Sequence, residues 1–252
     1  MKIQNCSFAV FIVLLFGLVL PNIVNAEDEF VKVAESTKYY KTIVRENMFN
    51  TYSIGTDYDS ETIEISQEEY DAFNPATAQP LDSHSIETTY KRMTTSIFKN
   101  SSVFRYENYL SWKNFPATRS YDVIGIGFQS SVKLKSAMVF TTNYCTAAGS
   151  CYSNSSHNPD VRSTGAATIF PLPSGALSRL NHTMYFDVAK NTSSTISVQT
   201  INGDYSHAQS SVSLNSVFGA YAALGTGIIL PSSVSSKYDI MSRTTVDWYE
   251  TW

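Results

Sequence analysis

In the run Val103-Phe104-Arg105-Tyr106-Glu107-Asn108-Tyr109-Leu110-Ser111-Trp112, four apolar side chains share one parity: Phe104, Tyr106, Leu110 and Trp112. Arg105, Glu107 and Ser111 take the other. Successive side chains of an extended chain point to opposite faces, so this two-residue period describes a half-buried antiparallel strand. Residues 86–98 precede it as a second long strand, with Lys99-Asn100-Ser101-Ser102 as the hairpin turn between them. Residues 121–128 read as a more central strand, in which Gly125 and Gly127 share a face that a bulky group such as an aromatic ring could cover. Further strands are predicted over 132–144, 165–170, 182–189, 195–201, 205–214, 217–230 and 244–248. Asn202-Gly203 is read as a hairpin turn. Only 16% of the 252 residues are charged, while 16 Tyr and 14 Phe supply the large flat side chains that suit a pleated surface. No long amphipathic helix and no internal repeat interrupt the pattern. The expectation is an all-β fold, an antiparallel β-sandwich or jelly roll.

Ahead of these strands, residues 1–26 have the form of a cleavable signal peptide. Lys2 provides the positive start, residues 8–20 an apolar core, and Val24-Asn25-Ala26 a cleavage site before the acidic Glu27-Asp28-Glu29. The core is shorter than the ~20 apolar residues of a transmembrane helix, and Pro21 ends it. Residues 27–85 are predicted to be a partly ordered N-terminal extension. Its aromatics are too many for a solvating tail, and Ser66-Gln67-Glu68-Glu69 is a capping box opening a short helix. Residues 38–50 fit a helix or a strand equally well. Residues 86–252 form the β-sandwich domain in this division.

Export changes how the cysteines are read. Cys6 leaves with the signal, so the mature chain keeps Cys145 and Cys151, an even number in an oxidising compartment. A disulfide between them closes a short loop containing Gly149 and shapes a hairpin tip more than it holds the domain together. The formal charge of −4 argues against nucleic acid, for which a basic stripe is expected.

The segment Trp112-Lys113-x-x-Pro116-x-x-Arg119-Ser120-Tyr121-Asp122-Val123-Ile124-Gly125 resembles a run found in small exported β-rich proteins of Gram-positive bacteria, a group without an assigned activity. The resemblance is close over this run and loose over the β-rich remainder. It implies a secreted or wall-associated β-protein and brings no catalytic residues with it.

Signs of catalysis are sparse. The sequence has no Gly-x-Ser-x-Gly elbow, His-Glu-x-x-His pair, phosphate-binding glycine loop or dinucleotide fingerprint. Ser130-Ser131-Val132-Lys133 matches Ser-x-x-Lys, a pattern common by chance in a serine-rich chain. His84, His157, His182 and His207 have no partner spacing and read as packing residues. Asp57, Asp59 and Glu61 lack the glycine turn and closing acid of a calcium loop and read as a solvated turn. Arg119 and Asp122 read as an ion pair fixing a loop. No cofactor and no metal site is expected.

What remains points to binding. Aromatic rings give large contact area for little entropy cost, and the C-terminal Trp248, Tyr249 and Trp252 are candidate ligand-binding aromatics. The leading expectation is a non-catalytic binding protein, extracellular or non-covalently associated with the cell wall, whose partner is a wall polymer, a glycan or a protein. Two alternatives accompany it. Residues 195–230 could serve a membrane-active, pore-forming-like toxin as an inserting hairpin, and an extracellular polymer hydrolase could use acids that no motif marks.

Overall fold

The computed structural model describes residues 29–46, 58–74, 85–101 and 103–252. The predicted signal peptide, His84 and Asp57 lie outside these residues. In chain order the elements are β1 (Val31–Glu46), β2 (Tyr58–Ile65), α1 (Gln67–Ala72), β3 (Ser85–Lys99), β4 (Phe104–Trp112), β5 (Tyr121–Phe128), β6 (Val132–Leu134), β7 (Val139–Thr146), β8 (Cys151–Asn154), β9 (Asn158–Arg162), β10 (Gly165–Pro171), β11 (Leu177–Lys190) and β12 (Gln199–Ala208). They are followed by α2 (Leu214–Val217), β13 (Tyr221–Ala223), β14 (Gly227–Ile229), β15 (Tyr238–Ile240) and β16 (Thr244–Trp248).

Two antiparallel sheets face each other. The first runs β2-β1-β3-β4-β11-β7-β8, with β6 also on β11. The second runs β15-β12-β5-β10-β9, with β16 beside β15 on the same strand β12. This is an all-β sandwich. The alternation read from β4 is its inner face: Phe104, Tyr106, Leu110 and Trp112 are buried among Met93, Ile97, Phe128, Phe186 and Tyr205. Residues 38–46 are strand, because β1 pairs with β3 along almost its whole length. In α1 the Ser66 hydroxyl accepts from the Glu69 amide at 3.1 Å, as the capping box requires.

The second sheet is covered on both sides, which explains its composition. On β5, Ile124, Ile126 and Phe128 face the first sheet, while Val123 faces a second cluster with Ala167, Ile169, Ala222 and Ile228. The segment after β12 makes that cover. Residues 217–230, read as one strand, instead form the end of α2, a turn at Gly219 and the small β13–β14 hairpin. Gly219, Gly225 and Gly227 take φ of 88°, 84° and 78°, a left-handed region in which only glycine is unstrained, and they break the run. The cover over Gly125 and Gly127 is therefore not an aromatic ring. A Cβ on Gly125 would stand 2.5 Å from the Ala222 Cβ, and one on Gly127 2.7 Å from the Leu224 amide nitrogen.

Asn202-Gly203 is not a turn either. Both residues sit mid-strand in β12, paired to β5 on one side and β16 on the other. Glycine is needed there for space, since a Cβ would overlap the Thr95 hydroxyl arriving from the opposite sheet. Residues 152–163 are mostly the exposed edge strands β8 and β9.

At the outer edge, Cys145 and Cys151 are bonded across the β7–β8 hairpin with Cα atoms 4.0 Å apart. Gly149 turns the tip at φ 91°. Closing so short a loop removes little chain entropy. The Cys145→Ser/Cys151→Ser variant should lose about 2 kcal/mol or less in a urea unfolding titration.

Candidate functional site

The interior between the sheets is not purely apolar. Lys91 of β3 has the same parity as Met93 and Ile97, so it points inward, and its side chain is fully buried. Its ammonium lies over the Trp112 ring at 4.9 Å and 3.2 Å from Asp239 Oδ2 on β15. Two hydroxyls from the first sheet, Thr42 at 3.1 Å and Thr62 at 2.5 Å, donate to the same oxygen. Burial pushes the Asp239 carboxyl up, but the Lys91 charge and the Thr62 and Lys91 hydrogen bonds outweigh it and hold the group below the usual carboxylate value.

A second carboxylate lies close by. Asp122 of β5 is fully buried and accepts from the Tyr205 hydroxyl, from His207 Nδ1 at 3.0 Å and from the Ala208 amide at 3.0 Å. Strand parity turns Asp122, which the sequence suggested as a partner of Arg119, into the core, toward β12. The His207 ring meets Trp112 edge-on at 5.2 Å, and Trp112 in turn carries Lys91. His207 stands directly opposite Asp239 in the β12–β15 register. Lys91, Asp239, Trp112, His207, Asp122 and Tyr205 therefore form one continuous buried chain between the sheets. Sequence motifs did not mark it, although the parity of Lys91 with Met93 was a usable signal.

Two more ionisable groups are buried apart from any strong partner. Burial pushes His182 down to about 3, with Asp122 opposing and His207 adding to that shift. Burial pushes Asp204 up to about 7, against the attraction of Arg243. Their effects on stability have opposite signs. The unfolded chain takes up the His182 proton below about pH 6.5 while the fold does not, so stability falls with pH in that window. Asp204 binds its proton more tightly in the fold, so its contribution grows as pH falls from 7 toward 4. Between pH 7 and 5 the two largely cancel. Asp204→Asn should uncover the His182 slope, with a loss of about 2 kcal/mol between pH 7 and pH 5 by urea titration where the parent changes little.

At the surface, a groove of about 380 Å³ runs between the β5–β6 turn and the chain leading into β12. It is lined by Gln129, Ser130, Ser131, Thr192, Ser194, Thr195, Ile196, Ser197 and Val198. None of these side chains ionises. Trp252 borders it: Trp252 and Ile196 exchange both backbone hydrogen bonds, at 2.9 and 3.1 Å, and Lys190 Nζ donates to the Trp252 carbonyl. Trp252 packs edge-on to Phe104 at 4.8 Å, and Trp248 is half-buried with its Nε1 donating to Glu250. Tyr249 is 73% exposed. On the far edge, Tyr152 stacks on Tyr144 at 5.3 Å beside the disulfide. Lys133 of the Ser-x-x-Lys match is exposed on β6. No group of three or more His, Cys, Asp or Glu that could hold a metal occurs among the described residues, and none of their helices is long and apolar enough to cross a membrane.

No family model and no curated protein matches the chain. Among solved structures, the chain called BspA_C_WT aligns at 6% identity with a TM-score of 0.34, covering 83% of this chain and 84% of that one. The collagen-binding domain of the Erysipelothrix rhusiopathiae surface protein RspB aligns at 8% identity with a TM-score of 0.29, covering 66% and 67%.

Proposed function

We propose that this chain is an exported, non-catalytic binding protein that acts outside the cell or at its surface and holds a neutral, hydroxyl-rich polymer such as a glycan or wall polysaccharide. The observation that carries this reading is the groove beside the C-terminus. Its lining offers the hydroxyls of six Ser and Thr residues and the Gln129 amide, which can both donate and accept, with Ile196 and Val198 as apolar floor. A polyol has the same mixture of hydroxyls and apolar faces, and Trp252, paired with Ile196 of the lining, brings an aromatic ring of the kind sugars stack upon to its border. The lining contains no acid, base or thiol that could move a proton or attack a bond. The ionisable groups that do cluster are buried between the sheets, where a substrate has no access. In this reading residues 1–26 are removed on export, and 27–85 remain attached to the 86–252 domain.

The test is a side-by-side pull-down of the mature chain on intact Gram-positive wall, soluble glycans, collagen (the ligand named for the RspB domain) and liposomes. Retention on wall or glycan that drops at least tenfold in Ser194→Arg, which fills the groove with a charge, is the expected result. Binding to collagen alone would make the partner a protein, and liposome leakage would favour the membrane-active alternative. Either result overturns the polysaccharide reading, as does retention indifferent to Ser194→Arg.

A further inference from the structure

We propose that Lys91 and Asp239 condense after folding into an intramolecular amide bond that joins the two sheets covalently. This does not rest on the binding reading above. Four observations support it. The lysine is fully buried and the aspartate is 7% exposed, so water that would stabilise both charges is excluded. Lysine Nζ is held 3.2 Å from Oδ2 of the carboxylate it would attack, a hydrogen bond that keeps the amine beside Cγ and fixes the two groups in one geometry. The Thr42 and Thr62 hydroxyls both point at Oδ2, where negative charge develops when an amine adds to the carboxyl carbon. Finally, Trp112 covers the ammonium and keeps the approach dry.

The step balances without any co-reactant. A proton passes from the Lys91 ammonium to the Asp239 carboxylate, leaving an amine and a carboxylic acid. The Nζ lone pair adds to Cγ and places charge on Oδ2 among the two threonine hydroxyls. The bond from Cγ to the other oxygen breaks, and that oxygen departs as water with the second proton from Nζ. One cation and one anion become a neutral amide and one water. Loss of two buried charges also removes the desolvation cost of keeping them between the sheets, and holding both groups in one geometry replaces a bimolecular condensation by an intramolecular one.

The experiment is mass spectrometry of the purified mature chain, denatured and reduced. The expected result is an intact mass lower than the sequence mass by one water, and, after proteolysis, a branched peptide joining the Lys91 and Asp239 segments. The branched peptide is decisive, because cyclisation of an N-terminal glutamate also removes one water. Asp239→Leu and Lys91→Met should each abolish it entirely. Since the parent protein alone decides the question, a variant that fails to fold leaves the test intact. Recovery of both segments as separate, unmodified peptides from the parent would overturn the proposal.

Discussion

Asp122→Ala should lower the unfolding free energy by about 3–5 kcal/mol, the largest single loss expected from any polar residue here. Three donors converge on this carboxylate: the Tyr205 hydroxyl, His207 Nδ1 and the Ala208 amide. Asp122, Tyr205, Ala208 and His207 are all buried, so no water replaces the missing acceptor. An unsatisfied buried donor costs about 1–3 kcal/mol, and these three share one acceptor, so their losses are coupled and do not simply add. Asp122→Asn is the informative companion. It retains one acceptor oxygen and puts an amide nitrogen where the Tyr205 hydroxyl and His207 now meet an acceptor, so those two must reverse their roles and it should recover only part of the loss. Urea titrations monitored by Trp fluorescence provide the readout, since Trp112 lies edge-on to His207. A loss below 1 kcal/mol in Asp122→Ala would show that this carboxylate does not help to hold β5 and β12 together.

Gly165→Val should be comparably severe, for a steric reason. Gly165 begins β10 opposite Gly127 of β5, and the β13–β14 hairpin lies over both. A Cβ at 165 would overlap the Ala222 carbonyl oxygen and stand 2.6 Å from its carbon. The obstacle is backbone, which has no rotamer to yield. Overpacking of a well-filled core typically costs 1–3 kcal/mol, and a clash with main chain belongs at or above the upper end. The hairpin would be forced off the second sheet, exposing Ala167, Ile169 and Ala222. Expected readouts are a loss of at least about 3 kcal/mol and rapid proteolysis within 209–237. Gly149→Val at the disulfide tip is the control: its φ of 91° strains any side chain, but nothing lies within 4 Å, so the loss should stay near 1 kcal/mol.

How far the sequence revealed this fold depends on what each signal physically measures. Alternation in β4 reports burial on one face, and it was readable because that strand has one packed face and one wet one. The same rule fails on β5, where both faces are covered and nearly every residue is buried. Asn202-Gly203 misled because Asn-Gly marks a turn only where glycine supplies a positive φ. Gly203 instead makes room for Thr95. The apolar run 217–230 reported burial only in part, through Val217, Ala220, Ala222 and Ile228 with Phe218 exposed, and its glycines fold it into a cover in place of one strand. Asp122 looked local to Arg119 because sequence shows neighbours along the chain, while its partners lie more than 80 residues away. The groove was invisible for the same reason: residues 129–131 and 192–198 become neighbours only through the sheet. The cysteine pair, by contrast, closes over six residues and was plain.

The late position of β15 and β16 has a consequence for the order in which the molecule can be completed. These strands and the link between them supply Asp239 to Lys91, the Ser242 carbonyl to the Tyr40 hydroxyl at 2.6 Å, and the edge pairing of β12. A growing chain that stops before Tyr238 has its buried lysine without a counter-charge and a central strand with an open flank. Such a chain cannot close early from its N-terminal end. It stays unlocked until β15 and β16 have been delivered, so the buried charge pair is among the last contacts that the chain can make.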